Sequence, residues 1–255
     1  MIELNNITCG YDKKTPVLKD ISLLIPANKI TFILGANGRG KTTLIKCRTN
    51  QMKLYGGQIS IDGKNLSSMT TKEISRLMSY VPQSIEYGIE YNVLDFIAFG
   101  RTPYLNAFQS PTREAYDIAM NVAEQSNISY LCNKQINTIS GGERQLVYIA
   151  RALAQETPFI IMDEPMSALD FSNQAMILKV ISSLAKDNKT VILSSHNPNH
   201  ALAVESEVCL IDKNKSIIQG SSNEILSNQE NIINTFGERV IYQDSESGGY
   251  ISFSI

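Results

Sequence analysis

No apolar run in this sequence approaches the ~20 residues that a membrane-spanning helix needs. A role at a membrane would therefore need another chain to hold the protein there. The N-terminal Met1-Ile2-Glu3-Leu4-Asn5 lacks the basic segment and apolar stretch of a secretory leader, so none is expected. An excess of one charge is lacking too: 23 Lys and Arg stand against 25 Asp and Glu, a formal net charge of −2. Nucleic acid, whose binding calls for a basic excess on one face, is not an expected partner. Cysteine is sparse. Cys9, Cys47, Cys132 and Cys209 form no C-x-x-C pair and no metal-ligand spacing, which fits a reducing cytosol better than a disulfide scaffold. The sequence also lacks internal repeats and low-complexity linkers.

What is present, 255 residues with 43% apolar and 19% charged, suffices for one large domain or a domain with an inserted lobe. Residues 2–8 alternate apolar and polar and predict a strand. Residues 17–25 predict a second, ended by Pro26. Residues 29–34 are a short apolar run into Gly35, which suits a buried strand. From Leu44 the pattern is helical. Residues 58–61 before Asp62-Gly63 read as strand and turn. Thr70 and Glu73 form a capping box, and residues 78–81 a strand stopped by Pro82. From Asn92 to Ala154 the pattern is mostly helical, with Ser110-Pro111 as the cap and first residue of a helix to about Ser126. Strands resume at 159–162 and 191–194 around a helix at about 173–186. Residues 208–211 and 216–219 read as a hairpin. The expectation is an α/β core holding a mostly helical insert at about 84–157. The tail, 239–255, forms one more hairpin about Ser247-Gly248-Gly249.

Three segments carry chemistry. Gly35-Ala36-Asn37-Gly38-Arg39-Gly40-Lys41-Thr42, continuing into Thr43, fits G-x-x-x-x-G-K-[ST]. Its glycines let backbone N–H groups turn inward around phosphate oxygens. Lys41 would meet the β- and γ-phosphates, and the Thr42 hydroxyl would bind magnesium. The helix that follows points its positive end at the same phosphates. Second, the apolar run 159–162 delivers Asp163 and Glu164 at a strand's C-terminal end, where ligands bind in open α/β sheets. Asp163 would support magnesium, and Glu164 would polarise the attacking water. Third, in Ser140-Gly141-Gly142-Glu143-Arg144-Gln145, Ser140 and Glu143 form a capping box. Leu146, Ile149, Ala150 and Leu153 then share a buried face at helical spacing. Capping does not ask for Gly141 and Gly142, each of which costs a helix about 1 kcal/mol. A closely approaching phosphate does, because glycine leaves its N–H uncovered.

In this order, and over nearly the whole chain to about Phe236, these segments resemble the nucleotide-binding subunit of ABC transporters. Ser140 to Gln145 is similar to the ABC signature, with Ile139 where leucine is commoner. The resemblance implies a P-loop NTPase core with an antiparallel β subdomain and an inserted helical subdomain, the whole domain spanning 1–237. It implies hydrolysis of ATP with magnesium. Tyr11 would stack on adenine; Gln83 would touch magnesium and sense the γ-phosphate; Ser167 and Asp170 fall in the D-loop; His196 would contact the γ-phosphate. His200 matches no role. Two positions depart from the pattern. Arg39 stands where a small residue is usual, facing either solvent or the opposite subunit, and Met166 replaces the usual threonine. The family's subunits dimerise head to tail around two ATP molecules. Each phosphate loop then faces the partner's Ser140, Gly141, Gly142, Glu143 and Gln145. A pair of membrane permease subunits docks on the helical lobe at the cytoplasmic face of the membrane, and importers add a substrate-binding protein.

Residues 92–103 and 195–201 resemble importers for iron–siderophore, haem, cobalamin or molybdate, with an iron chelate favoured. The aromatics between Tyr87 and Phe108 are either lobe core or the lining of a groove for a membrane subunit. Two other classes stay open: a soluble ABC ATPase scaffold in iron–sulfur cluster assembly, and an exporter's ATPase subunit. A DNA-repair type would carry long coiled-coil or zinc inserts, and this sequence has neither.

Overall fold

A computed structural model describes residues 1–49, 52–83, 90–106, 109–167, 169–245 and 248–253. The chain starts with β1 (Ile2–Cys9), β2 (Leu18–Ile25), β3 (Ile30–Leu34), α1 (Lys41–Arg48), β4 (Leu54–Ile61) and a short β5 (Lys64–Asn65). Next come α2 (Thr71–Leu77), β6 (Met78–Val81), α3 (Val93–Ala98), α4 (Arg113–Gln125), α5 (Gly141–Ala154), β7 (Phe159–Met162) and α6 (Phe171–Lys186). The last part holds β8 (Thr190–Ser195), α7 (Asn199–Leu202), β9 (Glu207–Ile211), β10 (Ile217–Ser221), α8 (Ser222–Ser227), α9 (Gln229–Phe236), β11 (Val240–Gln243) and β12 (Tyr250–Phe253). These elements form two compact units, Met1–Met69 with Ile181–Ile255, and Thr70–Val180. The second contains the described part of segment 84–157, together with α2, β6, β7 and most of α6.

In the first unit one antiparallel sheet runs β2-β1-β4-β5. Strand β4 begins four residues before the expected 58. Its first half contains Gly56 and Gly57, which disguise a strand in sequence because glycine has poor strand propensity. Gly57 has φ +76°, and a Cβ there would lie 2.4 Å from the carbonyl oxygens of Asn5 and Asn6. The pairing with β1 shifts register between Asn5 and Thr8, so the glycine serves a bulge. In the other sheet of this unit β3 lies parallel to both β8 and β9, with β10 antiparallel to β9. Every residue of β3 is buried. Strands covered on both faces need no alternation, which is why β3 and β8 read as unbroken apolar runs. Strands β11 and β12 pair as the expected tail hairpin; Ser247 of its turn lies outside the described residues.

In the second unit β6 and β7 are parallel, with Val81 opposite Met162. Helices α3, α4 and α5 pack on one another. Leu146, Ile149 and Ala150 of α5 are buried and Leu153 half-buried, as the helical spacing predicts. The Thr70–Glu73 capping box is present: the Glu73 N–H donates to Thr70 Oγ1 at 3.2 Å and the Thr70 N–H to Glu73 Oε2 at 2.7 Å. The cap of α4 differs from expectation. Thr112, not Ser110, accepts the Ala115 N–H, at 3.3 Å, and the helix starts at Arg113. Two hydroxyls two residues apart flank Pro111, and sequence pattern does not rank them. Among the described residues no helix is long and apolar enough to cross a membrane.

A polar cluster closes the turn after β8. His200 is buried. Its Nδ1 lies 3.1 Å from Ser195 Oγ and its Nε2 3.3 Å from Asn197 Nδ2. An amide nitrogen can only donate, so Nε2 accepts and Nδ1 carries the proton. Burial, and secondly the nearby His196, push the His200 pKa down to about 4.

Two outcomes are expected. Gly100 sits in a short 3-10 segment, Phe99–Tyr104, where a Cβ would lie 2.3 Å from the Arg151 carbonyl oxygen of α5. Gly100→Ala should lower the unfolding free energy by about 1–3 kcal/mol, the usual range for overpacking, in urea titrations. For His200 the folded pKa lies below the unfolded value of 6.5. Below pH 6.5 the unfolded chain takes up a proton that the folded chain refuses. Stability is thus complete above 6.5 and is lost as pH falls toward 4, by at most about 3 kcal/mol. Unfolding free energies at pH 7 and 4.5 should differ less in His200→Gln than in the native chain.

Candidate active site

In the first unit the phosphate loop leaves the C-terminal end of β3 and enters α1. Gly40 is the residue before the helix, with φ +102° and no side chain to cap the first turn. A Cβ there would lie 3.0 Å from Leu18 Cδ2 and 3.2 Å from Val17 Cγ1. Conformation and space both require glycine. The first turn of a helix has N–H groups without intrahelical acceptors, and here no side chain is available from the N-cap position to cover them. Those amides and the helix dipole make an anion site. Lys41 is buried, and its Nζ donates to the carbonyl oxygens of Gly35 at 2.9 Å and Ala36 at 3.3 Å. A buried ammonium arched over the loop suits a phosphate oxygen, which would bond it with charge assistance. Asn37 and Gly38 are exposed at the loop's tip; Thr42 and Thr43 lie in the first turn of α1. The residues present therefore fit a nucleotide's phosphates.

Arg39, half-buried, is tied to its own chain. Its Nη1 donates to the Lys213 carbonyl oxygen of the same chain, at 3.1 Å. The turn between β9 and β10 offers that carbonyl because Asp212 Oδ1 folds it, accepting the N–H groups of Asn214 at 2.7 Å and Ser216 at 2.9 Å. Tyr11 is 72% exposed, on the loop after β1. His196 is exposed and follows β8 directly; Leu34 and Ser195 are in register, so the phosphate loop and His196 leave the same sheet edge.

In the second unit β6 and β7 bring Gln83 and the carboxylates to one edge. Asp163 is buried, and its N–H donates to the Val81 carbonyl oxygen at 2.9 Å. Glu164 is half-buried with φ +44°, a left-handed backbone in a non-glycine residue. That conformation costs of order 1–3 kcal/mol and persists where the surroundings impose it. Gln83 is exposed, two residues beyond β6.

The Ser140 capping box is formed, with the Ser140 N–H donating to Glu143 Oε2 at 2.8 Å and the Glu143 N–H to Ser140 Oγ at 3.2 Å. The Ser140 N–H, then its hydroxyl, hold the Glu143 carboxyl below its ordinary range. Gln145 is buried, with no hydrogen-bond partner for its Nε2 among the described residues. The two glycines differ. A Cβ on Gly142 would lie 3.0 Å from Asn173 Nδ2, whereas one on Gly141 would meet nothing within 4 Å. Asp170 accepts the Asn173 N–H at 2.8 Å and its Nδ2 at 3.1 Å, which holds the Asn173 amide that lies against Gly142. Ser167 is exposed, and Ala168 of the same loop lies outside the described residues. Two residues escaped the sequence argument. Arg144 is buried and donates to the carbonyl oxygens of Ile136 at 3.3 Å and Ile139 at 3.2 Å, which fixes the approach to Ser140. Its signal was a charged residue beside the apolar face of α5. Phe171 is 88% exposed beside Asp170, and no periodicity distinguishes it from a core residue.

Comparison with known proteins identifies the family. The family model for ABC transporters matches residues 18–167. An uncharacterised ABC transporter ATP-binding protein of Haemophilus influenzae is 36% identical over 227 residues, 89% of this chain and 86% of its own. The iron(3+)-hydroxamate import ATP-binding protein of Bacillus subtilis is 31% identical over 86% of this chain and 81% of its own. A solved inward-facing ABC transporter, described as of metal-chelate type, aligns with TM-score 0.85 and 28% identity over 99% of this chain and 96% of that one. With its fold, its phosphate loop and these relatives, the chain belongs to the ABC transporter family as an ATP-binding cassette that hydrolyses ATP.

Proposed function

We propose that this cassette powers import of a metal chelate, an iron–siderophore complex first among them, through a partner membrane permease. What carries the reading is the extent of the likeness to the metal-chelate transporter, 99% of this chain and so including the tail. The iron-hydroxamate relative from Bacillus subtilis supports the same branch. The working unit is a homodimer at the cytoplasmic face of the inner membrane, served by a separate substrate-binding protein. The ATPase domain runs 1–237, with the helical subdomain about 84–157 as docking lobe and 238–255 as a tail. A cleft of about 470 Å³ in the second unit, lined by Tyr80, Pro82, Phe99, Pro103, Tyr148 and Arg151, suits a permease segment. Tyr87 and Phe108, also candidates for such a groove, lie outside the described residues.

The proposed chemistry follows from the residues. Amides of Gly38, Gly40 and the first turn of α1 take the phosphates, with Lys41 as their cation and Tyr11 as a face for adenine. Thr42, Gln83 and Asp163 would hold magnesium, which would neutralise charge on the phosphates. Glu164 accepts a proton from the attacking water, and its imposed backbone fixes the carboxylate for that task. His196 donates to the γ-phosphate. Ser140, Gly141, Gly142, Glu143 and Gln145 serve the partner's ATP, flanked by Ser167 and Asp170. Gly141 supports this part: nothing among the described residues of its own chain requires glycine there.

Uptake decides the branch. A strain lacking this gene should lose import of one radiolabelled chelate among iron–siderophore, haem, cobalamin and molybdate. Normal uptake of all four with failed cluster assembly would sink the import reading. The shared site is tested by mixing. Gly141→Asp places a carboxylate where the partner's γ-phosphate must come, repelling it in a water-poor interface. Lys41→Ala should weaken ATP binding by about 1.5–3 kcal/mol. In a Glu164→Gln background each variant alone should fail to dimerise with ATP. The mixed dimer keeps one site free of both lesions, so sedimentation should show partly restored association. If mixing restores none, the sites are not shared.

A further inference from the structure

The C-terminal hairpin is fastened at both edges by side-chain amides. Tyr242 of β11 and Ile251 of β12 are directly opposite. In an antiparallel ladder alternate pairs turn their N–H and C=O groups outward. This pair does so. The Tyr242 N–H donates to Gln229 Oε1 at 3.0 Å, and Gln229 Nε2 returns to the Val240 carbonyl oxygen at 2.8 Å. On the other edge the Ile251 N–H donates to Asn199 Oδ1 at 2.7 Å, and Asn199 Nδ2 donates to the Ile251 carbonyl oxygen at 3.0 Å. A two-stranded hairpin is marginal by itself. These amides supply the partners that a third and fourth strand would.

Asn199 has a second duty. Its backbone N–H donates to Asn197 Oδ1 at 3.0 Å. Asn197 turns its Nδ2 to His200, and its N–H donates to Ser195 Oγ at 3.0 Å. The Ser195 hydroxyl donates to the Asn197 carbonyl oxygen at 3.2 Å. Both neighbours of His196 are thus held in one network, which the Asn199 side chain extends to the tail. An uncharged His200 can serve there as acceptor and donor at once. The His196 ring itself stays exposed.

We propose that the hairpin positions His196 for hydrolysis and that Asn199 is the positioning residue that transmits its hold. The proposal rests on His196 acting on the γ-phosphate. It separates two effects: loosening this turn should slow the chemical step while the phosphate loop, held by other contacts, binds ATP as before.

The test is steady-state ATP hydrolysis by the protein with Asn199→Ala, with His196→Ala, with the chain ended at residue 237, and with the ending and Asn199→Ala combined. Asn199→Ala should lower kcat about tenfold, the scale for two lost hydrogen bonds, with KM for ATP within about twofold. Ending the chain at 237 should do the same. The combination should do no more than either, because both break one link. If the shortened chain does not fold, Asn199→Asp tests the same link without the combination. It keeps the acceptor for the Ile251 N–H but sets a carboxylate against the Ile251 carbonyl, and should lose about fivefold in kcat. Native kcat in Asn199→Ala or Asn199→Asp beside an inactive His196→Ala overturns the proposal alone. So do losses that multiply in the combination, or a KM that rises as kcat falls. Native hydrolysis in His196→Ala instead overturns the role of His196 beneath it.

Discussion

The ammonium of Lys41, buried and bonded to the carbonyls of Gly35 and Ala36, is the constraint around which the phosphate loop is built. A buried cation must have polar partners, since desolvation otherwise disfavours its charge. The loop supplies them by turning carbonyls toward the lysine, and that turn requires the positive φ of Gly38 and Gly40. It also requires a rigid base. The wholly buried β3 gives one below, and Arg39 gives another at the side by bonding to the Lys213 turn. An arginine among small residues looks out of place in sequence. In the fold it braces the loop from outside and leaves the concave side to amides and Lys41.

Both units use one design: parallel strands end in register, and the chemistry-bearing residue follows the last paired position. Leu34 and Ser195 precede Gly35 and His196, while Val81 and Met162 precede the segments of Gln83 and Asp163. The parallel ladder fixes where the strands stop, so short loops inherit the precision of the sheet. Glu164 departs most from relaxed geometry, with its left-handed backbone one residue after β7. Its neighbours are well placed to enforce this: Asp163 is tied to Val81, and the Ser167 N–H closes a turn on the Glu164 carbonyl oxygen at 3.2 Å.

Much of this was legible in the sequence because local chemistry and global fold agree. The apolar runs became β3, β7 and β8. Both capping boxes formed, and the tail hairpin paired where a glycine turn was expected. The misses share a cause. Gly56 and Gly57 hid half of β4, since a bulge wants glycine where a plain strand does not. Thr112 displaced Ser110 because two hydroxyls offered the same bond. Arg39 was ambiguous because its partner, Lys213, lies 174 residues away. His200 drew no role from sequence, yet it bonds on both sides beside His196. Periodicity and motif spacing report neighbours in the chain. They are silent on polar partners that meet only after folding.

The signature glycines show how structure divides what sequence treats alike. Both looked too costly for a first helical turn. Gly142 has an internal reason, since Asn173 occupies the space a side chain would need, and Asn173 is itself held by Asp170. Gly141 has open space and no positive φ, so neither packing against the described residues nor backbone geometry selects it. A residue that lowers helix propensity by about 1 kcal/mol without an internal return points outward, to something that approaches the backbone closely. The capping box makes the same point from the other side: Ser140 and Glu143 satisfy each other, so the helix begins firmly without help. What Gly141 leaves uncovered is then open to a ligand, and the partner's nucleotide proposed above would fill that place.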